Sequence, residues 1–389
     1  MKNLLTYLFA ILAFVACTDS GTESGGSGGG QETPTSPANE IWYTSTDGKV
    51  VELHSNYLIG DGFGANVVSN VYENGKGVIT FDGEITAIAD CAFYFHSYKY
   101  ESTLQSIAIP NTVTQIGEDA FSGCSSLSNI TIPDGVTQIG DHAFSGCSSL
   151  TSITIPNGVT QIRQETFAQC KNLTSINIPE GVTQIGAFAF FDCISLTSIT
   201  IPEGVTQIAY DTFSDCSSLS NITIPEGVTQ IGERAFYGCL SLTSITIPDG
   251  VTQIGQETFA QCKNLTSITI PEGVTQIGVG AFEGCSSLTS ITLPDGVTQI
   301  DTWIFAYCSN LSKITIPASI GRIDYRAFFC CSQLKTVDCK ATNPPFLDVN
   351  VFDMCDSLAI INVPTASVDA YKAADGWKEY KSLIRGKDF

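Results

Sequence analysis

The sequence predicts a solenoid of the α/β type, dominated by β structure and built from 23-residue units. Three observations predict it. Phenylalanine recurs every 23 residues, at Phe121, Phe144, Phe167, Phe190, Phe213, Phe236, Phe259, Phe282, Phe305 and Phe328. Ten cysteines, Cys124 through Cys331, and ten prolines, Pro110 through Pro317, keep the same step. A unit this small cannot bury its own apolar face, but stacked copies share one continuous core.

Each part of the unit, L-x-x-I-x-I-P-x-G-V-T-Q-I-G-x-x-A-F-x-x-C-x-x, has a physical role. L-x-x-I-x-I is a short strand whose alternate residues face inward. Proline cannot donate to a sheet ladder, so it ends that strand. Pro-Glu-Gly and Pro-Asp-Gly supply turn chemistry, with glycine expected to take positive φ. V-T-Q-I is a second extended piece with Val and Ile inward. A-F-x-x-C-x-x-L is the return path, with Ala, Phe, Cys and Leu inward. A degenerate copy precedes the array at Ile79–Phe93, and another follows with Phe352 and Cys355.

This unit resembles the leucine-rich repeat of BspA-like bacterial surface proteins, and the resemblance covers residues 78–364. It implies a parallel-stranded solenoid, display at the cell surface, and adhesion to host matrix or plasma proteins such as fibronectin or fibrinogen. Repeat patterns specify fold far more closely than function.

The ends differ from the array. In "IWYTSTDGKVVELHS", Asp47-Gly48 stands between two alternating runs and predicts a hairpin. Residues 41–77 are accordingly read as an N-terminal β cap. Residues 365–389 are read as a helical cap. There Ser367 is placed as N-cap, Asp369 in the first turn, and Asp375-Gly376 as the stop. Trp377, Tyr380 and Leu383 would be the buried side of a second short helix.

Residues 1–17 read as a targeting segment. Met1-Lys2 precedes an apolar run from Leu4 to Ala16, too short for a stable span, ending at Cys17. "FVAC" resembles a bacterial lipobox with Phe14 where Leu is usual, which would make Cys17 the lipidated N-terminus; an ordinary secretory signal is the alternative. Residues 18–40 are a Gly/Ser/Thr/Pro tether reaching roughly 25–30 Å. The expected location is the outer membrane, lipid-anchored and facing outward.

The chain has 389 residues and a net charge of −21. That balance disfavours nucleic acids and anionic membrane surfaces, both of which select Lys and Arg. The three histidines, His54, His96 and His142, fit no catalytic arrangement, so no enzyme activity and no cofactor are expected. The ladder cysteines fit a column of small apolar side chains. A spacing of roughly 4.8 Å between rungs also leaves disulfides open. Metal binding is a poor fit, because one thiol per unit does not converge. Cys330, Cys331 and Cys339 are where an exception would fall. An acidic row, Asp134, Glu180, Glu203, Glu226, Asp249, Glu272 and Asp295, reads as solvated turn residues, with calcium as the alternative.

Two features could meet a partner. The strand's outward positions are a monotonous hydroxyl array, including Thr151, Ser152, Thr154, Thr174 and Ser175. They suit β structure and solubility, or sugar recognition. The second feature is variation at I-G-x-x-A-F-x-x-C-x-x. Phe188, Phe191, Ile194, Tyr210, Tyr237 and Leu240, with Arg234 beside them, would form an exposed apolar patch across three units. Trp303, Tyr307, Tyr325 and Phe329 would form a second. Aromatic residues and Arg dominate interface hot spots. The competing readings are a glycan-binding lipoprotein, a spacer with no ligand, or side chains folded back on the return path.

Overall fold

The computed structural model describes residues 35–53, 62–95 and 102–389. The expected targeting segment with Cys17, the tether up to residue 34, and both His54 and His96 lie outside the described residues.

The repeat forms a mostly β solenoid of about 12 turns. Three backbone ladders tie each unit to the next. The first runs through three-residue strands such as Ser152–Thr154, Ser175–Asn177 and Ser198–Thr200, whose central Ile is buried and whose flanks are exposed. Neighbours pair in parallel and in register, Ile153 opposite Ile176 and Ile245 opposite Ile268. The second ladder joins Gln-Ile pairs, with Gln207–Ile208, Gln230–Ile231, Gln253–Ile254 and Gln276–Ile277 in one sheet. The third follows the return path: the Phe144 N–H donates to the Thr166 carbonyl at 2.9 Å, and the Phe167 N–H to that of Ala189 at 2.9 Å.

Inside these ladders lies a column of stacked phenylalanines from Phe93 to Phe352. Successive ring centroids are 5.2–5.7 Å apart and the planes nearly parallel. Each offset pair adds about 0.5–1.5 kcal/mol beyond the area it buries. Beside it runs the cysteine column, buried as free thiols. Each Sγ–H donates to the Phe carbonyl of the preceding unit, as from Cys147 to Phe121 at 3.3 Å and from Cys216 to Phe190 at 3.1 Å. Burial pushes the Cys124, Cys170 and Cys262 thiols up to about 12. Such a thiol carries almost no thiolate at neutral pH.

The turn after each repeat proline closes through the N–H of a Val, or of Ile320 after Pro317, as from Val136 to the Pro133 carbonyl at 3.0 Å. The expected positive φ is not there: Gly135, Gly158, Gly181 and Gly204 avoid the left-handed region. Glycine answers to crowding instead. A Cβ on Gly158 would sit 3.2 Å from the Val136 carbonyl and 3.1 Å from the Thr137 methyl of the preceding unit.

At the N-terminal end, β1 (Glu40–Ser45), β2 (Val67–Glu73) and β3 (Lys76–Phe81) precede β4 (Ala87–Ile88) and β5 (Leu104–Ala108), the first full solenoid strand. β1 lies between β3 and β5, antiparallel to both. It thereby covers the edge that the parallel sheet would expose. The hairpin is not at Asp47-Gly48. It joins β2 to β3 through Asn74-Gly75, both at positive φ. After Asp47-Gly48 the described residues through Leu53 make no strand, because the edges of β1 are already taken by β3 and β5.

At the C-terminal end a 3-10 turn, Thr365–Ser367, leads into α1 (Val368–Ala373), followed by a second 3-10 turn, Trp377–Tyr380. Ser367 precedes α1 but does not cap it with its side chain, because its hydroxyl donates to the Thr342 carbonyl at 2.7 Å. Trp377 is fully buried, while Tyr380 and Leu383 are partly buried against the core. The Tyr380 ring meets Phe352 edge-on at 5.5 Å and ends the aromatic stack. The last element is not helical. Ile384–Lys387 is a strand parallel to Ile360–Pro364.

That last strand is tied to the array by a buried carboxylate. Asp338 accepts from Asn362 Nδ2 and Lys387 Nζ, both at 2.7 Å, and pairs with Lys313 at 2.9 Å. Burial alone would raise its pKa, but these donors outweigh burial and hold it at about 2.

Two outcomes follow from this packing. Phe213→Ala, in mid-stack, should cost about 3–5 kcal/mol in denaturant unfolding, since it opens a cavity between two rings. The depressed Asp338 pKa stabilises the fold above the ordinary carboxylate range, and that contribution is lost as pH falls through about 2. Asp338→Asn should therefore lower stability at pH 7 by about 3 kcal/mol. It should also flatten the loss of stability between roughly pH 4 and 2, read from thermal unfolding at stepped pH.

Candidate functional site

The variable positions of the unit coincide with two left-handed columns on the return path. One contains Asp119, His142, Glu165, Phe188, Asp211, Arg234, Glu257, Gly280, Trp303 and Arg326. The other contains Gly123, Gly146, Gln169, Asp192, Asp215, Gly238, Gln261, Gly284, Tyr307 and Cys330. Gly and Asp suit such backbone, whereas bulky side chains pay about 1–2 kcal/mol for it. Phe188, Trp303 and Tyr307 pay it at φ values of 56°, 62° and 61°.

The first predicted patch is present but uneven. Ile194, Tyr210 and Leu240 are exposed, at 39%, 40% and 39%. Phe188, Phe191 and Tyr237 are only half-exposed, because they pack on neighbours along the flank. Phe188 meets Phe191 edge-on at 5.8 Å and Tyr210 edge-on at 4.9 Å. Arg234 lies over the Tyr237 ring at 4.4 Å. It also pairs with Asp211 in the preceding unit and Glu257 in the next, at 3.6 and 3.7 Å.

The second patch is compact. Trp303 lies 6.3 Å from both Tyr307 and Phe329, and Tyr307 meets Phe329 edge-on at 5.5 Å. Arg326, absent from the expected set, lies over Trp303, Tyr325 and Phe329 at 5.6, 5.0 and 4.6 Å. Tyr307 is 41% exposed.

At the edge of the first patch, and sharing Ile194, Tyr237 and Leu240 with it, is an open hollow that aromatic residues alone did not reveal. Ile194, Ser217, Leu240 and Lys263 form its apolar-to-basic rim. Asp192, Asp215 and Gln261, with Gly238 and Tyr237, form the rest. Gly238 leaves a gap in its column, and a Cβ there would fall on the Asp215 carboxylate. Partial burial, then the nearby Asp192 carboxylate, hold Asp215 above its usual range. Its sequence signal was available: glycine and short polar residues alternating in one column mark left-handed backbone.

The other features carry less. Strand-face hydroxyls are partly committed to backbone, as Thr174 Oγ1 donates to the Thr151 carbonyl at 3.2 Å and Thr266 to that of Thr243 at 3.1 Å. The acidic row is exposed along its length. Among the described residues, Glu118, Asp119 and His142 bring ligand atoms within 4.8 Å of one another, and His142 Nε2 lies 3.5 Å from Glu165. Among the described residues, no helix is long and apolar enough to cross a membrane.

Comparison with known proteins agrees with this architecture. The family described as the BspA type Leucine rich repeat region matches over residues 86–218, 183–285 and 252–373, with six copies. A leucine rich cell surface protein from Faecalibacterium prausnitzii A2-165 is similar at 30% identity, over 82% of this chain and 90% of that one, with a TM-score of 0.52. A leucine-rich repeat protein from Bacteroides ovatus ATCC 8483 is similar at 25% identity, over 83% and 92%, with a TM-score of 0.62. No curated protein matches the sequence.

The strained aromatics give a prediction. Tyr307→Gly restores the residue found one unit earlier at Gly284 and relieves a left-handed tyrosine. Calorimetry should show an unchanged or higher melting temperature, by up to about 1 kcal/mol of stability. A clear drop would mean that the Tyr307–Phe329 contact outweighs the strain.

Proposed function

Because the chain belongs to the BspA-type leucine-rich repeat family, we propose that it is a cell-surface adhesin whose array binds host matrix or plasma proteins, fibronectin and fibrinogen among the candidates. The observation that carries this reading is the pair of aromatic clusters on the variable flank, three of whose members, Phe188, Trp303 and Tyr307, are held exposed or half-exposed in unfavourable left-handed backbone. Strain of this kind persists where it serves a function. Arg234 and Arg326 add the other residue type that dominates hot spots. The fold and family are those of repeat scaffolds, in which surface rather than a catalytic pocket does the work.

The same proposal takes Cys17 as a lipidated anchor in the outer membrane and residues 18–40 as the tether that holds the array away from it. The lipobox-like "FVAC" and the Gly/Ser-rich run support this.

The test is binding of the purified chain to immobilised fibronectin, fibrinogen and a glycan panel, beside a Tyr210→Ser/Tyr307→Ser variant. Saturable protein binding reduced at least tenfold in the variant is the expected result. Binding confined to glycans, or equal binding by both chains, would overturn the reading. Radiolabelled palmitate incorporation lost in Cys17→Ala checks the anchor.

A further inference from the structure

We propose that the hollow over Gly238 is a socket for an arginine side chain of a polypeptide partner. This rests on the protein-binding reading above and names the chemistry of one contact within it.

The hollow has two kinds of wall, apolar and acidic, with Lys263 at one end of its rim. Ile194 and Leu240 are exposed apolar side chains two units apart in the column that follows the ladder cysteines. At the other side stand Asp192 and Asp215, in successive units of the left-handed column. An aliphatic stem suits the first wall and a cationic head the second. Lysine and arginine both carry that combination, but the planar guanidinium matches a carboxylate with two parallel N–H donors.

The two carboxylates are not equivalent. Asp192 already has a cation, since Lys171 Nζ lies 3.1 Å from it. Asp215 has no salt bridge and no side-chain hydrogen bond among the described residues. The nearest guanidinium, Arg234, pairs with Asp211 and Glu257 and reaches Asp215 only through its charge. Asp215 is a partly buried acceptor without a donor, and a Gly238 side chain would collide with it. Because Asp215 is only half-buried, an incoming guanidinium there exchanges water for a charge-assisted hydrogen bond. The chain's net charge of −21 steers basic segments towards it but cannot by itself choose this point.

The experiment is a calorimetric titration of the full chain, at physiological salt, with the peptide acetyl-Gly-Arg-Gly-Arg-Gly-amide. Its twin carries citrulline, which keeps the shape of arginine and lacks the charge. Asp215→Asn keeps the side-chain volume and removes the acceptor charge. A Glu226→Gln/Asp249→Asn variant removes charge from the exposed turn row instead. Saturable binding is expected, at least tenfold weaker for the citrulline twin and at least tenfold weaker for Asp215→Asn. The turn-row variant should bind within twofold of the parent. Equal binding of the citrulline twin would overturn the proposal. So would an unaffected Asp215→Asn, or equal weakening in the turn-row variant, which would reduce the effect to diffuse attraction. Because Tyr210 and Tyr307 lie outside the hollow, whole-protein binding lost in their variant would survive failure of the arginine socket. Loss of both would remove the adhesin reading itself.

Discussion

Stacking of one phenylalanine per unit is the contact on which the rest of the solenoid depends. Adjacent rungs of a β ladder lie about 4.8 Å apart, and the rings meet at 5.2–5.7 Å, so each ring slides over the next in the offset geometry that aromatic pairs prefer. The stack holds even across the longer steps Phe93–Phe121 and Phe328–Phe352, at 5.2 and 5.4 Å, so extra residues are accommodated elsewhere in the turn while the rings keep their contact. The neighbouring thiol fits the same constraint. A cysteine is small and apolar enough for the space, and its Sγ–H gives the Phe carbonyl of the preceding unit a second, weak donor besides a backbone N–H. Serine would bring a hydroxyl that is costlier to bury, and alanine would leave that contact unmade.

The array was legible because every inward position is printed many times over, so an error in reading one unit is corrected by the next. The ends were not. Asp47-Gly48 carries a standard hairpin signal, yet the strand before it takes its partners from β3 and β5, far along the chain. Asn74-Gly75 carries the same signal, and there both flanking strands are free to pair. The final strand was hidden for a different reason. Ile384–Lys387 is four residues long, too short for an alternating pattern, and it exists because Ile360–Pro364 offers an open edge and Lys387 finds Asp338. Tertiary context made these elements, and local sequence could not announce it.

The candidate site was half legible. Comparing units exposed the aromatic deviations, and those residues do lie together. Their partial burial, one of the readings the sequence left open, could not be settled there because a patch drawn from sequence has no depth. Arg326, Asp215 and Gly238 were missed because they are ordinary residues taken singly. They matter only through the column they share with neighbours 23 residues away. Backbone geometry explains why variation is tolerated here. Most residues of the two left-handed columns are exposed or half-exposed, so most changes there cost local strain rather than core packing, with buried Asp211 as an exception.

The spacing of the features along the flank argues for a particular kind of partner. Phe188 and Trp303 occupy the same column five units apart, roughly 24 Å at about 4.8 Å per unit. The hollow over Gly238 lies between them. None of these contacts is large, and each alone would hold a ligand weakly. A partner that reaches two of them turns the second contact into an intramolecular event, and its avidity then depends on span rather than on any new interaction. A rigid array sets that span without the entropy a flexible linker would have to lose. An extended polypeptide lying along the solenoid axis can bridge such a distance, as the protein-binding reading requires, whereas a single sugar unit cannot.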